Sequence, residues 1–218
     1  MIQVYGSPHS RAFRTLWMLD ELGLEYQNIA VDTHAGENRR PELLALNPNG
    51  RVPILVDGDV VVWESMAINL ALAGRYDRGL APRGIQEEAK ALQWSFWVVT
   101  EVEEALLVYG RNTLFLPEAS RDASAVETSA AQLAKALGVL EAELAERDHL
   151  LGHRFSVADL NVASVLFWAS LVEFDVSGFP RVRRWLDTCL ARAKGSLRSQ
   201  AAAYWAAARV TEGQTGSR

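Results

Sequence analysis

The spacing of hydrophobic positions changes character part-way along the chain. From Met1 to about residue 75, short apolar runs alternate with runs at helical spacing. Ile2 to Tyr5 is a short strand stopped by Gly6-Ser7-Pro8. Ser10 through Leu22 then places Phe13, Leu16, Trp17 and Leu19 on one helical face, and Gly23 suits the C′ position that ends it. A second strand is predicted over Tyr26 to Val31, and a short helix opens at Pro41, where proline is tolerated because the first helical N–H has no partner. Val52 to Val56, the turn Asp57-Gly58-Asp59 and Val60 to Trp63 form a β-hairpin, and Ser65 precedes an apolar-faced helix, Met66 to Leu72.

The order β-α-β-α-β-β-α predicts a small four-stranded sheet with helices on its faces, since a parallel pair needs a crossover helix and an antiparallel pair only a tight turn. Between Asp77 and Gly84 glycine, proline and arginine crowd together as in an exposed linker. Strand signals then disappear, and long apolar-periodic stretches run over 86–110, 121–146, 157–171 and 179–193. The predicted organisation is α/β followed by all-α: a domain over 1–77, a linker over 78–85 and a helix bundle over 86–218, with a frayed Gly/Ser/Thr-rich tail from Thr211 to Arg218.

Composition narrows the function. The 218 residues are 49% hydrophobic and 22% charged, as in a globular protein, and 27 acidic against 22 basic side chains give a net charge of −5. No Lys/Arg block is present to track a phosphate backbone, so nucleic acid is not the expected partner. No apolar run approaches the roughly 20 residues of a membrane span, and the start of the chain has no signal-peptide pattern, so a cytoplasmic location without a membrane partner is expected. The single cysteine, Cys189, lies in a helical pattern and reads as structural. The four histidines show no metal-ligand spacing, so no metal is expected.

Three segments carry candidate chemistry. Gly6-Ser7-Pro8-His9-Ser10 supplies two hydroxyls at the mouth of the first helix, each also a good turn former or cap. Pro53 begins a strand, where a proline removes a ladder donor; read alone, it is a trans proline at a strand start. Glu64-Ser65 opens a helix, where serine is a good N-cap and free N–H groups attract an anion.

Together, Asn47-Pro48-Asn49-Gly50-Arg51-Val52-Pro53-Ile54-Leu55 and Glu64-Ser65-Met66-Ala67-Ile68 resemble the glutathione-binding signature of cytosolic glutathione S-transferases. The resemblance implies a thioredoxin-like first domain and glutathione as co-substrate. It implies a cis Val52-Pro53 bond, with Val52 offering its backbone to the cysteinyl unit of glutathione as a strand would. Ser65 and the helix N-terminus would take the γ-glutamyl carboxylate, and Glu64 its ammonium. Arg51, at the family's Gln or Lys position, either pairs with the glycyl carboxylate or is a solvated turn residue, and Arg39 or Arg40 could assist there.

Catalysis in this family needs the thiolate, because a thiol of pKa near 8.5 is mostly protonated at neutral pH. A hydroxyl donor near the first helix supplies the stabilisation. Alignment with the phi class places that role on Ser10, and alignment with the theta class places it on Ser7; Ser10, directly at the helix start, is preferred. His9 could reach the sulfur, while Tyr5 is read as packed within its strand. With no cysteine in this loop, conjugation is favoured over thiol-disulfide exchange.

In the second half, Phe155-Ser156-Val157-Ala158-Asp159-Leu160 is a capping box with a hydrophobic staple, and a similar box opens a core helix in the family. A pocket for an apolar electrophile is expected between the first-helix loop and the bundle. Trp94, Trp97 and Tyr109, with Phe96 and Phe115, supply aromatic surface, most of it expected in the core with one or two side chains facing the pocket, and His9 is a further candidate for its lining. The family also implies a homodimer. Peroxidase or isomerase chemistry with the same thiolate, or a non-catalytic glutathione-binding, ligand-binding or stress-response module, are the alternatives.

Overall fold

A computed structural model describes the backbone of residues 1–215 and the side chains of residues 1–208. The chain forms two compact units, one of residues 1–81 with 192–201, the other of residues 82–191 with those from 202 onward.

The first unit is built on a four-stranded sheet. Strands β1 (Ile2–Tyr5), β2 (Tyr26–Ile29), β3 (Ile54–Asp57) and β4 (Val60–Trp63) lie in the order β2-β1-β3-β4. β1 and β2 are parallel, joined through helix α1 (Ala12–Glu21); β1 with β3 and β3 with β4 are antiparallel. β2 stops two residues short of the Val31 end expected from sequence, and Val31 instead packs with Leu43 and Ile54 in a cluster that Tyr5, Leu46 and Val52 border. Helix α2 (Pro41–Leu46) contributes Leu43 to it. Helix α3 (Ser65–Tyr76) turns Ile68, Asn69, Leu72 and Ala73 inward.

One register fixes where the loops of this unit meet. Ile54 is opposite Tyr5 on one side and Trp63 on the other. The end of β1, the start of β3 and the end of β4 therefore lie at the same end of the sheet. The segments leading into α1, out of the Asn47–Val52 turn and into α3 all leave from that end.

The closing residues of this unit are held by ions. Arg192 donates to both carboxylate oxygens of Glu21, at 3.1 and 2.7 Å, and Lys194 reaches Asp20 at 2.6 Å.

The second unit is helical. Helix α4 (Gly84–Trp97) runs through a π-helical turn, Val98–Glu103, into α5 (Glu104–Gly110), and a second π-helical turn follows over Arg111–Phe115. The stretch expected as one helix over 86–110 is thus interrupted by widened turns. Helix α6 (Ala123–Glu143) is capped by Asp122, whose carboxylate accepts from the N–H groups of Ser124 and Ala125. Helix α7 (Val157–Leu171) is buried over nearly its whole length. Gly110 lies so close to Val172 that a Cβ there would come within 2.3 Å of its Cγ1.

Helix α8 (Pro180–Arg192) is followed by α9 (Gly195–Thr215), which the apolar periodicity did not reveal. Its first two turns read Gly-Ser-Leu-Arg-Ser-Gln-Ala and it continues through alanines, a composition with high helix propensity and a weak apolar stripe. The backbone of 211–215 continues this helix, a correction to the tail expected to fray from Thr211; residues 216–218 lie outside the described residues.

The capping box at α7 forms as expected. The Asp159 carboxylate, fully buried, accepts from the Ser156 N–H at 3.0 Å and the Ser156 hydroxyl at 2.8 Å. It also accepts from the Leu150 N–H at 2.9 Å and the Trp185 indole at 3.0 Å. His149 Nδ1 stands 3.3 Å away, and the fold brings Cys189 within the same 4.8 Å group, a cluster that linear spacing could not show. With both Asp159 oxygens already engaged, this is a hydrogen-bonded hub.

Candidate functional site

The first-helix loop is built around Gly6. Its φ of +131° suits glycine, and a Cβ there would stand 2.7 Å from Ala12 Cβ, 3.2 Å from Val52 Cβ and 3.5 Å from Ser10 Oγ. Backbone, Ser10 and Val52 therefore meet at one point. Asn28 fastens the strand end, donating to the carbonyls of Val4 and Gly6 at 3.1 and 2.8 Å.

Ser10 Oγ donates to the Ser7 carbonyl at 2.7 Å and accepts from the Ala12 N–H at 3.1 Å, so the hydroxyl covers the opening of α1. Ser7 is buried, and its hydroxyl faces the Val31 carbonyl at 3.4 Å. Of the two serines, Ser10 is the more open. His9 is part-buried; burial holds its imidazole below the ordinary value, His34 pushes the same way and Asp32 opposes.

The turn before β3 is fixed by two asparagines. Buried Asn47 donates to the Arg51 carbonyl at 2.8 Å and accepts from the Asn49 N–H at 3.1 Å, while Asn38 donates to the Gly50 carbonyl at 2.6 Å. Gly50 has the positive φ, +59°, that the turn requires. The Val52-Pro53 peptide is cis. No hydrogen bond to the N–H or C=O of Val52 occurs among the described residues. The exposed guanidinium groups of Arg51 and Arg39 have no acid partner among those residues either.

Glu64 departs from ordinary backbone geometry, with φ 72° and ψ 114°, a conformation costing a side-chain-bearing residue about 1–3 kcal/mol. Such strain concentrates where a ligand must be met. Its carboxylate is exposed. Ser65 does not cap α3, contrary to the reading of it as N-cap: Glu64 occupies that position, and Ser65 is the first helical residue. The buried Ser65 hydroxyl instead accepts from Arg14 Nη1 at 3.3 Å. Arg14, itself 2% exposed, and the pinning asparagines Asn38 and Asn47 are contributors that the sequence reading did not single out. In the sequence Arg14 shows only as a charged residue inside the apolar run of α1 and as the last residue of the Ser10–Arg14 stretch that aligns with the phi class.

In the helical unit Trp94 is 2% exposed and meets Trp97 edge-to-face at 4.9 Å, so it serves the core rather than a pocket wall. Trp97 and Tyr109 are part-buried, Tyr109 against Phe174 at 5.1 Å. Trp205 gathers Phe115 and Trp168 at 5.2 and 4.8 Å.

With this geometry in place the comparisons with known proteins are decisive. Residues 1–73 match the family described as glutathione S-transferase, N-terminal domain, and residues 100–193 the one described as glutathione S-transferase, C-terminal domain. Glutathione S-transferase 3 of Zea mays is 35% identical over 88% of this chain and 90% of its own. The chain belongs to the glutathione S-transferase family. Among other members, glutathione S-transferase 1 of Schizosaccharomyces pombe is 33% identical over 83% of this chain and 86% of its own. A theta class glutathione S-transferase from Xanthomonas axonopodis pv. citri, solved with glutathione bound, superposes with a TM-score of 0.82 at 29% identity, covering 92% of this chain and 96% of that one. As a glutathione transferase, this chain has its first-domain match over the unit that contains Ser7, Ser10, Val52, Pro53, Glu64 and Ser65.

Proposed function

We propose that the protein conjugates the thiolate of glutathione to small apolar electrophiles. The observation that carries this reading is the convergence of three segments at one end of the sheet, set by the register Tyr5, Ile54, Trp63. They bring a hydroxyl at a helix start, an unpaired stretch of backbone and a helix N-terminus with a free carboxylate beside it.

Each suits one part of the tripeptide. Val52, its N–H and C=O unpaired, can pair with the cysteinyl backbone. The first N–H groups of α3 have no intrahelical acceptor and, with Ser65, favour the γ-glutamyl carboxylate. Glu64 complements the neighbouring ammonium. Arg51 and Arg39 carry unpaired positive charge suited to the glycyl carboxylate.

Ser10 then holds the thiolate. Its hydroxyl turns from the Ser7 carbonyl to donate to sulfur, and the α1 N-terminus adds a favourable field. The sulfur lone pair forms a bond to the electrophilic carbon as the leaving group departs with its electrons, and the thiol proton passes to solvent. Trp97 and Tyr109, part-buried and aromatic, are the favoured walls for the electrophile.

The working form is a homodimer in the cytoplasm. Val60, Val61 and Trp63 expose an apolar surface on edge strand β4, and Ile85, Leu92 and Phe96 do so on α4. No helix among the described residues is long and apolar enough to cross a membrane.

Calorimetry with glutathione, followed by spectrophotometric assay with a chloronitroarene, tests the function. Saturable binding and release of chloride dependent on both substrates are expected. No heat of binding at millimolar glutathione overturns the reading. Light scattering should give twice the chain mass.

A further inference from the structure

We propose that the helical unit carries a second binding site, for a small zwitterion of the amino-acid class, free or as a short peptide, in the cavity between α8 and the turn that follows α6. The site shares no residue with the glutathione-binding segments.

The cavity measures about 580 Å³, a volume suited to a small organic molecule. One wall is α8, where Arg181, Arg184, Trp185 and Thr188, spaced three and four apart, share a helical face. Another is the turn over residues 144–148, which supplies Glu146 and Asp148, and the loop beyond it brings His149 and His153. Leu144, Ala145 and the buried Trp185 give apolar lining against which a side chain can pack.

The charges of this lining are matched only in part. Arg181 pairs with Glu141 at 3.1 Å and Arg147 with Glu143 at 3.0 Å, both acids lying outside the lining. Arg184 has no carboxylate in ion-pair contact, and Glu146 and Asp148 have no cation, among the described residues. One cavity therefore presents an unmatched guanidinium from α8 and two unmatched carboxylates from the turn, opposite charges that do not reach each other. A guanidinium takes a carboxylate through parallel N–H donors, and carboxylates accept from an ammonium. A simple anion would satisfy Arg184 and be repelled by the two acids; a simple cation would meet the reverse. A ligand carrying both charges completes both walls.

The walls are fixed before a ligand arrives. The Glu141 carboxylate also accepts from the N–H groups of Arg181 and Val182, each at 2.9 Å, which holds the start of α8. His149 and Gly152 exchange backbone bonds of 3.0 Å, closing the loop beside the turn. Trp185 and His149, both in the lining, lie 3.0 and 3.3 Å from Asp159, so an occupant rests on the hub that opens α7. Little ordering is then needed on binding, and the binding free energy adds to the stability of the helical unit.

The test uses calorimetry and thermal melts of the full-length protein at low ionic strength, where exposed charges are least screened. The probes are L-phenylalanine and glycyl-L-phenylalanine, with N-acetyl-L-phenylalanine lacking the ammonium and L-phenylalaninamide lacking the carboxylate. At least one zwitterion should bind saturably and raise the melting temperature, and loss of either charge should weaken binding by about tenfold or more. In Arg184→Gln the advantage of phenylalanine over its amide should disappear. In the double variant Glu146→Gln with Asp148→Asn its advantage over the N-acetyl compound should disappear. All three positions are exposed, and glutathione affinity should stay at its wild-type value in both variants. Failure of both zwitterions to bind overturns the proposal, as does equal binding of the N-acetyl compound, which would mark a plain anion site. Zwitterion binding that glutathione displaces and that both variants leave unchanged also overturns it, because the ligand then occupies the first domain. Whether the wild type binds glutathione bears on the transferase reading alone.

Discussion

The Ser10 hydroxyl lies 2.7 Å from the Ser7 carbonyl oxygen and at the same time accepts from the Ala12 N–H. One residue thus closes the loop and covers the helix start with the group proposed to hold the thiolate. Ser10→Ala should have two separable effects. The pKa of bound glutathione thiol should rise toward the free value, lowering kcat/KM by about tenfold or more near pH 6.5 with recovery at high pH. The helix cap should also be lost, at a cost of about 1 kcal/mol in unfolding. Ser7→Ala should leave the thiol titration unchanged; the reverse result in ultraviolet titration of the bound thiolate would transfer the role to Ser7.

His9 gives a pH dependence with a definite sign. Its pKa is lowered in the folded protein, chiefly by burial and then by His34, so between that value and the ordinary 6.5 the unfolded chain binds more protons. Stability should therefore rise with pH through the window just below 6.5 and fall as pH drops through it. In NMR titration, His34→Gln should raise the His9 midpoint by removing a like charge, and Asp32→Asn should lower it. Shifts of the opposite sign would mean that the charges do not act as described.

Glu64 joins a strained backbone to a functional carboxylate. Glu64→Gly should lose glutathione affinity by about tenfold, since a charged partner of the ammonium is removed. Its unfolding free energy should change by less than about 1 kcal/mol, relief at φ 72° being offset by the greater freedom of unfolded glycine. Isothermal titration and denaturant melts separate the two quantities.

Asp159 is the group whose loss should harm the helical unit most. Asp159→Ala leaves the Ser156 N–H, Leu150 N–H and Trp185 indole without their shared acceptor, each at about 1–3 kcal/mol. Expression as an aggregate, or a melting temperature lowered by well over 10 °C, is expected.

Gly110→Ala should destabilise by about 1–3 kcal/mol through its contact with Val172, without altering glutathione affinity. Pairing it with Val172→Ala should recover part of the loss, which a double-mutant cycle in urea would read.

The change of period from two to helical spacing exposed the division into a sheet-bearing part and a helical part, because burial of one face writes itself into neighbouring residues. Val52-Pro53 and Glu64-Ser65 stood out only through their resemblance to a family signature, since read alone they are a proline at a strand start and a capping pair. Hidden were the relations that arise only when distant segments meet. Arg14 and Ser65 are 51 positions apart, so nothing in Phe13-Arg14-Thr15 signals that the guanidinium would occupy the serine and displace it from capping. His149, Asp159 and Cys189 gather through tertiary packing and not through spacing. The last helix escaped notice because its alanines favour the helical backbone while writing little amphipathic signal. The π-helical turns at Val98–Glu103 and Arg111–Phe115 alter the hydrogen-bond ladder without altering the run of apolar residues.

The β3–β4 hairpin reverses at Gly58-Asp59, at the far end of the strands from Tyr5, Ile54 and Trp63, a separation of about 10 Å for strands of this length. Gly58, with φ +63° and open space around it, can therefore accept an inserted peptide tag or a neighbouring fluorophore that leaves the reacting end untouched. A dye carried there would move with the sheet while remaining clear of the tripeptide, providing an anchor point from which distances to a labelled electrophile can be measured during turnover.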